Sequence, residues 1–171
     1  MNLMPTRPFL TAAARWQARA AAAGWPEDLL ALLARVSIAG TFWRSGQTKV
    51  EGLSIDLVDG VVQLGWPHLA PQTVSLFRDE YALPLISPEW AALLAATAEH
   101  VLALTLLLGL ATRLSALGLL GMTAVIQLLV YPGAWPTHGV WAAALLLLVL
   151  HGPGAWSLDR ALHHVVQRRH A

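Results

Sequence analysis

Cysteine is absent from all 171 residues, and its absence removes several chemistries at once. A chain without thiols has no disulfide, no CxxC redox pair, no thiolate metal site and no cysteine-ligated iron–sulfur cluster. Any electron transfer must therefore run through a bound cofactor or a partner protein. Charge is scarce as well: Asp, Glu, Lys and Arg make up 12% of the chain, and the formal net charge is +1. The few cations are placed by topology rather than in a stripe that could follow a phosphate backbone, which argues against nucleic acid as a partner. No glycine-rich nucleotide loop and no HxxxH pair occurs. His163 and His164, adjacent on a helix, point in different directions, so no metal site is expected. The serines and threonines near His100 and His138 lack a third member for a nucleophile triad.

What is abundant is apolar surface. Hydrophobic residues make up 56% of the chain and the mean hydropathy is +0.55, too apolar for an ordinary soluble domain of this size and typical of an integral membrane protein. Eight tryptophans fit interfacial belts, since Trp25, Trp66, Trp90 and Trp135 fall near the ends of apolar runs.

The run from Ser87 to Leu114 holds the residue that most needs explaining. Ser87 is a plausible N-cap, Pro88 suits the first helical position and Glu89 meets the positive end of the helix dipole. A helix starting there places Glu99 about 15 Å in, near the centre of a hydrocarbon core of about 30 Å. A charge at that depth costs at least about 2.5 kcal/mol, so Glu99 must face the bundle interior, find a partner or stay protonated.

Taken in order, residues 1–26 form a basic N-terminal interfacial segment. Arg15 and Arg19 share one helical face there, and the lack of a clean apolar h-region argues against a signal peptide. Residues 27–152 read as a membrane domain with spans at about 29–48, 88–111, 114–131 and 137–150. The acidic connection 51–87 is expected to fold as short helices over the outer mouth, with two strands the less favoured reading. The fourth span looks short. Residues 153–171 form a basic C-terminal tail, with Ser157 expected to cap a short amphipathic helix. Arg7, Arg15, Arg19, Arg113, Arg160, Arg168 and Arg169 fall on one side of such a four-span arrangement and the acidic connection on the other, which predicts cytoplasmic termini. The fold class expected is an all-α, four-transmembrane-helix bundle with an outer loop and short-helix cap.

Depth also nominates a site. Arg44 and Gln127 fall about 22 Å and 20 Å from the inner side of the first and third spans, near the level of Glu99. One reading is a structural ion pair of Arg44 or Arg35 with Glu99. The other is an outward-opening ligand site made by Glu99, Arg44, Gln127 and Lys49, with Trp43 as an aromatic wall and His100 nearby.

Three segments together resemble the DoxX family of small membrane proteins. The first carries Arg35, Gly40, Phe42, Ser45-Gly46-Gln47 and Lys49. The second carries Ala98-Glu99 and the run through Gly109 to Thr112-Arg113-Leu114. The third, Gly152-Pro153-Gly154-Ala155-Trp156-Ser157-Leu158-Asp159, is similar to the family's closing motif. The resemblance spans roughly residues 29–162; the N-terminal extension and the long 51–87 connection depart from compact relatives. It implies a four-helix bundle in the bacterial inner (plasma) membrane. Some members are similar to the membrane subunit of thiosulfate:quinone oxidoreductase and others associate with redox-stress enzymes. The expected role is therefore a membrane subunit or anchor of a redox-linked complex, with quinone as the candidate ligand, a redox protein as partner and the lipid bilayer as surroundings; a homo-oligomer is compatible with it. A non-catalytic subunit fits better than a self-contained oxidoreductase. The alternatives are a small-solute or metal-handling accessory permease and a structural membrane scaffold.

Overall fold

The structure, a computed structural model, describes residues 25–56 and 60–169. All but the last two residues of the expected N-terminal interfacial segment lie outside that range. Helix α1 (Trp25–Gln47) opens with Pro26 and carries Glu27 and Asp28 in its first turn, a start that complements the helix dipole. Its buried positions are Ala31, Ala34 and Arg35, Ile38 and Ala39, Phe42 and Gly46. That recurrence at three and four residues is one helical face.

The connection after α1 corrects the short-helix expectation. Strands β1 (Val50–Asp56) and β2 (Val61–Leu69) pair antiparallel, with Leu53 opposite Leu64 and Ile55 opposite Val62. The cause is local: apolar and polar residues alternate from Leu53 to Asp56, Val61 and Val62 are β-branched, and the Asp59-Gly60 dipeptide is a hairpin-turn signal, with Gly60 at φ +68°. Among the described residues of the cap, helix occurs in α2 (Pro71–Leu76) and the single π-turn Phe77–Tyr81 that follows it. The chain is thus mostly helical with a small two-stranded sheet.

Helix α3 (Pro88–Leu108) starts as its sequence predicts, with the Ser87 hydroxyl accepting from the Trp90 N–H. Its inward face is Ala92, Ala96, Glu99, Ala103 and Leu106, small residues that let a neighbouring backbone approach closely. Helix α4 (Thr112–Val125) runs on through a π segment, Ile126–Val130. Helix α5 (Trp135–His151) is longer than the expected fourth span, because Pro136 is accommodated in its first turn rather than ending a loop. Helix α6 (Leu158–Arg169) closes the chain.

Helix α1 packs on α3, α3 on α4, α4 on α5 and α5 back on α1. The ring encloses Ala31, Ile38, Phe42, Leu106, Leu119, Leu145 and Leu148. A second cluster, Phe77 with Ala91 and Ala92, seats the cap on the start of α3. Among the described residues three stretches are long and apolar enough to cross a membrane, Pro88–Leu108, Thr112–Val130 and Pro132–His151, and only 33%, 22% and 17% of their apolar 18-residue windows is buried within the protein. Apolar surface on that scale needs a lipid partner.

Candidate functional site

Glu99 lies on the α3 face that meets the last turns of α1, and the cation it finds there is Lys49. Lys49 Nζ sits 2.9 Å from Glu99 Oε2, with the two side chains only 5% and 4% exposed. The Ser45 hydroxyl donates to Glu99 Oε1 at 3.2 Å, and Lys49 Nζ donates to Ser45 Oγ at 3.0 Å. Lys49 lies in the turn that follows α1, where its N–H donates to the Gly46 carbonyl at 2.9 Å, and its side chain reaches the same carboxylate as Ser45. The Lys49 carbonyl accepts from the Thr73 hydroxyl at 2.9 Å, which ties the pair to the cap.

Arg44 and Arg35, expected as partners of Glu99, lie elsewhere. Arg44 is exposed; it sits about 200° around α1 from the buried Phe42, on the opposite face. Arg35 is 10 residues, or about 15 Å, from Ser45 along the axis of α1. Depth placed Arg44 near Glu99, but helical phase turns it away.

Beside the ion pair lies a second polar link. His100 Nδ1 is 2.7 Å from the Ala96 carbonyl, so that nitrogen carries the proton and Nε2 accepts from Gln47 Nε2 at 2.8 Å. The Gln47 carbonyl oxygen accepts from the Ile55 N–H at 2.7 Å, fixing the amide's orientation. Trp43 packs edge-on against His100, with centroids 5.1 Å apart, and its indole N–H donates to the Ile55 carbonyl. Gly46 is required where α1 meets α3, since a Cβ there would come within 2.7 Å of His100 Cε1 and 3.2 Å of Glu99 Cβ.

Trp43 and His100 line a cavity of about 370 Å³ between the hairpin and α3, walled otherwise mainly by apolar groups such as Leu53, Leu69, Leu93 and Leu104, with His68 and Thr97 the further polar residues. Glu99 lines a separate cavity of about 240 Å³ on the other side of α3, under Phe77 and Tyr81. Gln127 belongs to neither: its carbonyl oxygen accepts from His138 Nδ1 at 2.8 Å and its amide donates to the Pro132 carbonyl. Of the nominated residues, then, the structure brings Lys49 to Glu99 and Trp43 to His100, and leaves Arg44 and Gln127 apart from both. Ser45 and Gln47 complete the cluster; their spacing, three residues after Phe42 and four after Trp43, was the signal that could have found them.

Arg35 builds a second centre at the opposite end of the bundle. Its guanidinium donates to the carbonyls of Leu106 (3.0 Å), Leu107 (2.6 Å), Pro153 (3.0 Å) and Trp156 (2.7 Å). The α3 C-terminus therefore joins the closing motif. Gly109, at φ +68°, makes this approach possible, since a Cβ would lie 2.6 Å from Ser157 Cβ and 2.8 Å from Arg35 Cζ. The Asp159 carboxylate accepts from the Ala111 and Thr112 N–H groups at 2.8 and 2.9 Å, capping α4. Burial raises the Asp159 pKa, but these backbone N–H groups and Arg35 outweigh it and hold the carboxyl below its ordinary value. Ser157 caps α6 as expected, accepting from the Arg160 N–H.

The residues of both centres coincide with the motifs that carried the family resemblance. A DoxX family model matches residues 30–132, more than half of the chain and the stretch that holds Arg35, Ser45, Lys49, Glu99 and Gly109. No curated protein and no solved structure matches the chain. The match ends before the closing motif, which nonetheless packs onto Arg35 and α4 inside it. With its apolar helices and these two motif-built centres, the chain is a membrane protein and belongs to the DoxX family.

Proposed function

We propose that this chain is a four-span subunit of a redox-linked assembly in the bacterial plasma membrane and holds a quinone-like ligand in the cavity between the hairpin and α3. The observation that carries the reading is that cavity: about 370 Å³ of almost wholly apolar wall with the indole of Trp43 and the imidazole of His100 at one side. Such a wall suits a ring on a hydrocarbon tail and disfavours a polar solute, which ranks permease activity lower. Trp43 and His100 would hold the ring. A quinone, when bound, supplies two-electron, two-proton redox chemistry that a chain without thiols lacks.

The fourth span in this proposal is α1. Its 23 residues reach about 34 Å, and Arg35 is neutralised inside the bundle rather than facing lipid. Arg113, Arg160 and Arg168 lie at the end bearing the α3–α4 turn, and Glu51, Asp79 and Glu80 lie in the cap at the other, which supports cytoplasmic termini. A second reading has its own observation: Glu99 is held by the Lys49 ammonium at Oε2 and by the Ser45 hydroxyl at Oε1, which favours a structural role for that pair whatever fills the cavity.

The test is quinone content after purification into lipid nanodiscs. Wild-type protein is expected to retain quinone detectable by mass spectrometry, and His100→Leu and Trp43→Ala to lose most of it while keeping the wild-type helical content. Equal quinone in all three proteins, or none in any, would remove the cavity as its site.

A further inference from the structure

Helix α6 carries a surface that the bundle does not use. Leu158, Leu162, Val165 and Val166 are 43%, 54%, 50% and 55% exposed, and at 100° per residue they fall within an arc of about 100°. The rest of the circumference is polar and basic, including Arg160, His164 and Arg168. Every side chain from Arg160 to Arg168 is exposed, so nothing among the described residues covers the apolar stripe. A stripe of this kind on a 12-residue helix needs a partner that is apolar on one side and anionic at its boundary.

The position of the helix says which partner that is. The Asp159 N–H donates to the Gly109 carbonyl at 2.9 Å, and its carboxylate caps α4. Gly109 ends one membrane-length helix and Thr112 begins the next, so the first turn of α6 is fastened at the level where two apolar helices leave the lipid. We infer that α6 lies along the membrane surface, with Leu162, Val165 and Val166 in the acyl boundary and Arg160 and Arg168 among anionic lipid headgroups. The partner is an anionic leaflet, and α6 is a lipid-binding element distinct from the spans.

The lack of native cysteine makes the test direct, because a single introduced thiol carries the only spin label. The full chain is labelled through Val166→Cys or Gln167→Cys and placed in nanodiscs of phosphatidylcholine alone or mixed with phosphatidylglycerol. The label at 166 is expected to be more accessible to oxygen than to a polar nickel chelate, and the label at 167 the reverse. The docked-to-free ratio should be higher in the anionic discs. It should fall about fivefold for each of Arg160→Gln and Arg168→Gln, the effect of one basic residue at an anionic surface. Equal accessibility at 166 and 167, or a docked fraction indifferent to lipid charge, would overturn the inference. So would dipolar broadening at 166 between labelled copies, which would give the stripe to a second copy of the chain.

Discussion

Replacing Arg35 with alanine is expected to destabilise the bundle by about 3–5 kcal/mol and to release the closing motif from α3. The size follows from what the guanidinium does. It is 2% exposed and donates to four carbonyls, two at the α3 C-terminus and two in the segment Pro153–Trp156. Hydrogen bonds to a charged group each contribute about 1.5–3 kcal/mol, and of the two helix-end carbonyls only that of Leu106 is also met by a backbone donor that an observed bond supplies, the Gly109 N–H at 3.1 Å. Arg35→Lys should recover less than half of the loss, because a single ammonium cannot address four carbonyls lying in different directions. Thermal unfolding in detergent micelles measures the first effect, and limited proteolysis near Trp156 the second. An Arg35→Ala protein with wild-type stability and an uncleaved C-terminus would show that Asp159 and Ser157 hold the segment without it.

The second large effect concerns the pair in the bundle. Lys49→Ala leaves a carboxylate that is 4% exposed on its side chain without its cation, which is expected to lower stability by about 3–5 kcal/mol. Removing both charges is a different matter. Lys49→Met combined with Glu99→Leu should return most of the lost stability, since a buried ion pair exchanged for apolar groups of similar volume is often neutral. Arg44→Gln, on the opposite face of α1, should stay within about 0.5 kcal/mol of wild type. Unfolding of the single and double variants gives the coupling directly. If Arg44→Gln is as harmful as Lys49→Ala, the pairing described here is incorrect.

These two centres also show how far the sequence carries. Glu99 was legible as a buried acid needing a partner because its depth in an uninterrupted apolar run follows from the rise of a helix. The partner was not legible from depth, which treats Arg44 and Lys49 as a near and a far cation on one line. Phase decides instead: Phe42 and Ser45 lie on the α1 face that meets α3, Lys49 follows in the turn after it, and Arg44 points to the opposite face. The start of α3 at Ser87-Pro88 was readable because capping is local. The hairpin was harder, because the run from Leu57 to Leu64 is apolar enough for a short helix and only the Asp59-Gly60 turn and the adjacent valines argue otherwise. Arg35 was beyond reach of any local rule. Its partners at Pro153 and Trp156 are well over a hundred residues away, and only the closed ring of helices brings them together.

The cavity beside Trp43 and His100 is best tested by locating its occupant. A photoreactive quinone analogue added to the full chain in nanodiscs is expected to label the segments around Trp43–Leu53 and Leu93–Leu104, with labelling suppressed by excess natural quinone and by His100→Leu. Labelling spread over the outward faces of α4 and α5 and insensitive to competitor would contradict a ligand site there, and would leave the Lys49–Glu99 pair as the framework of a structural membrane subunit.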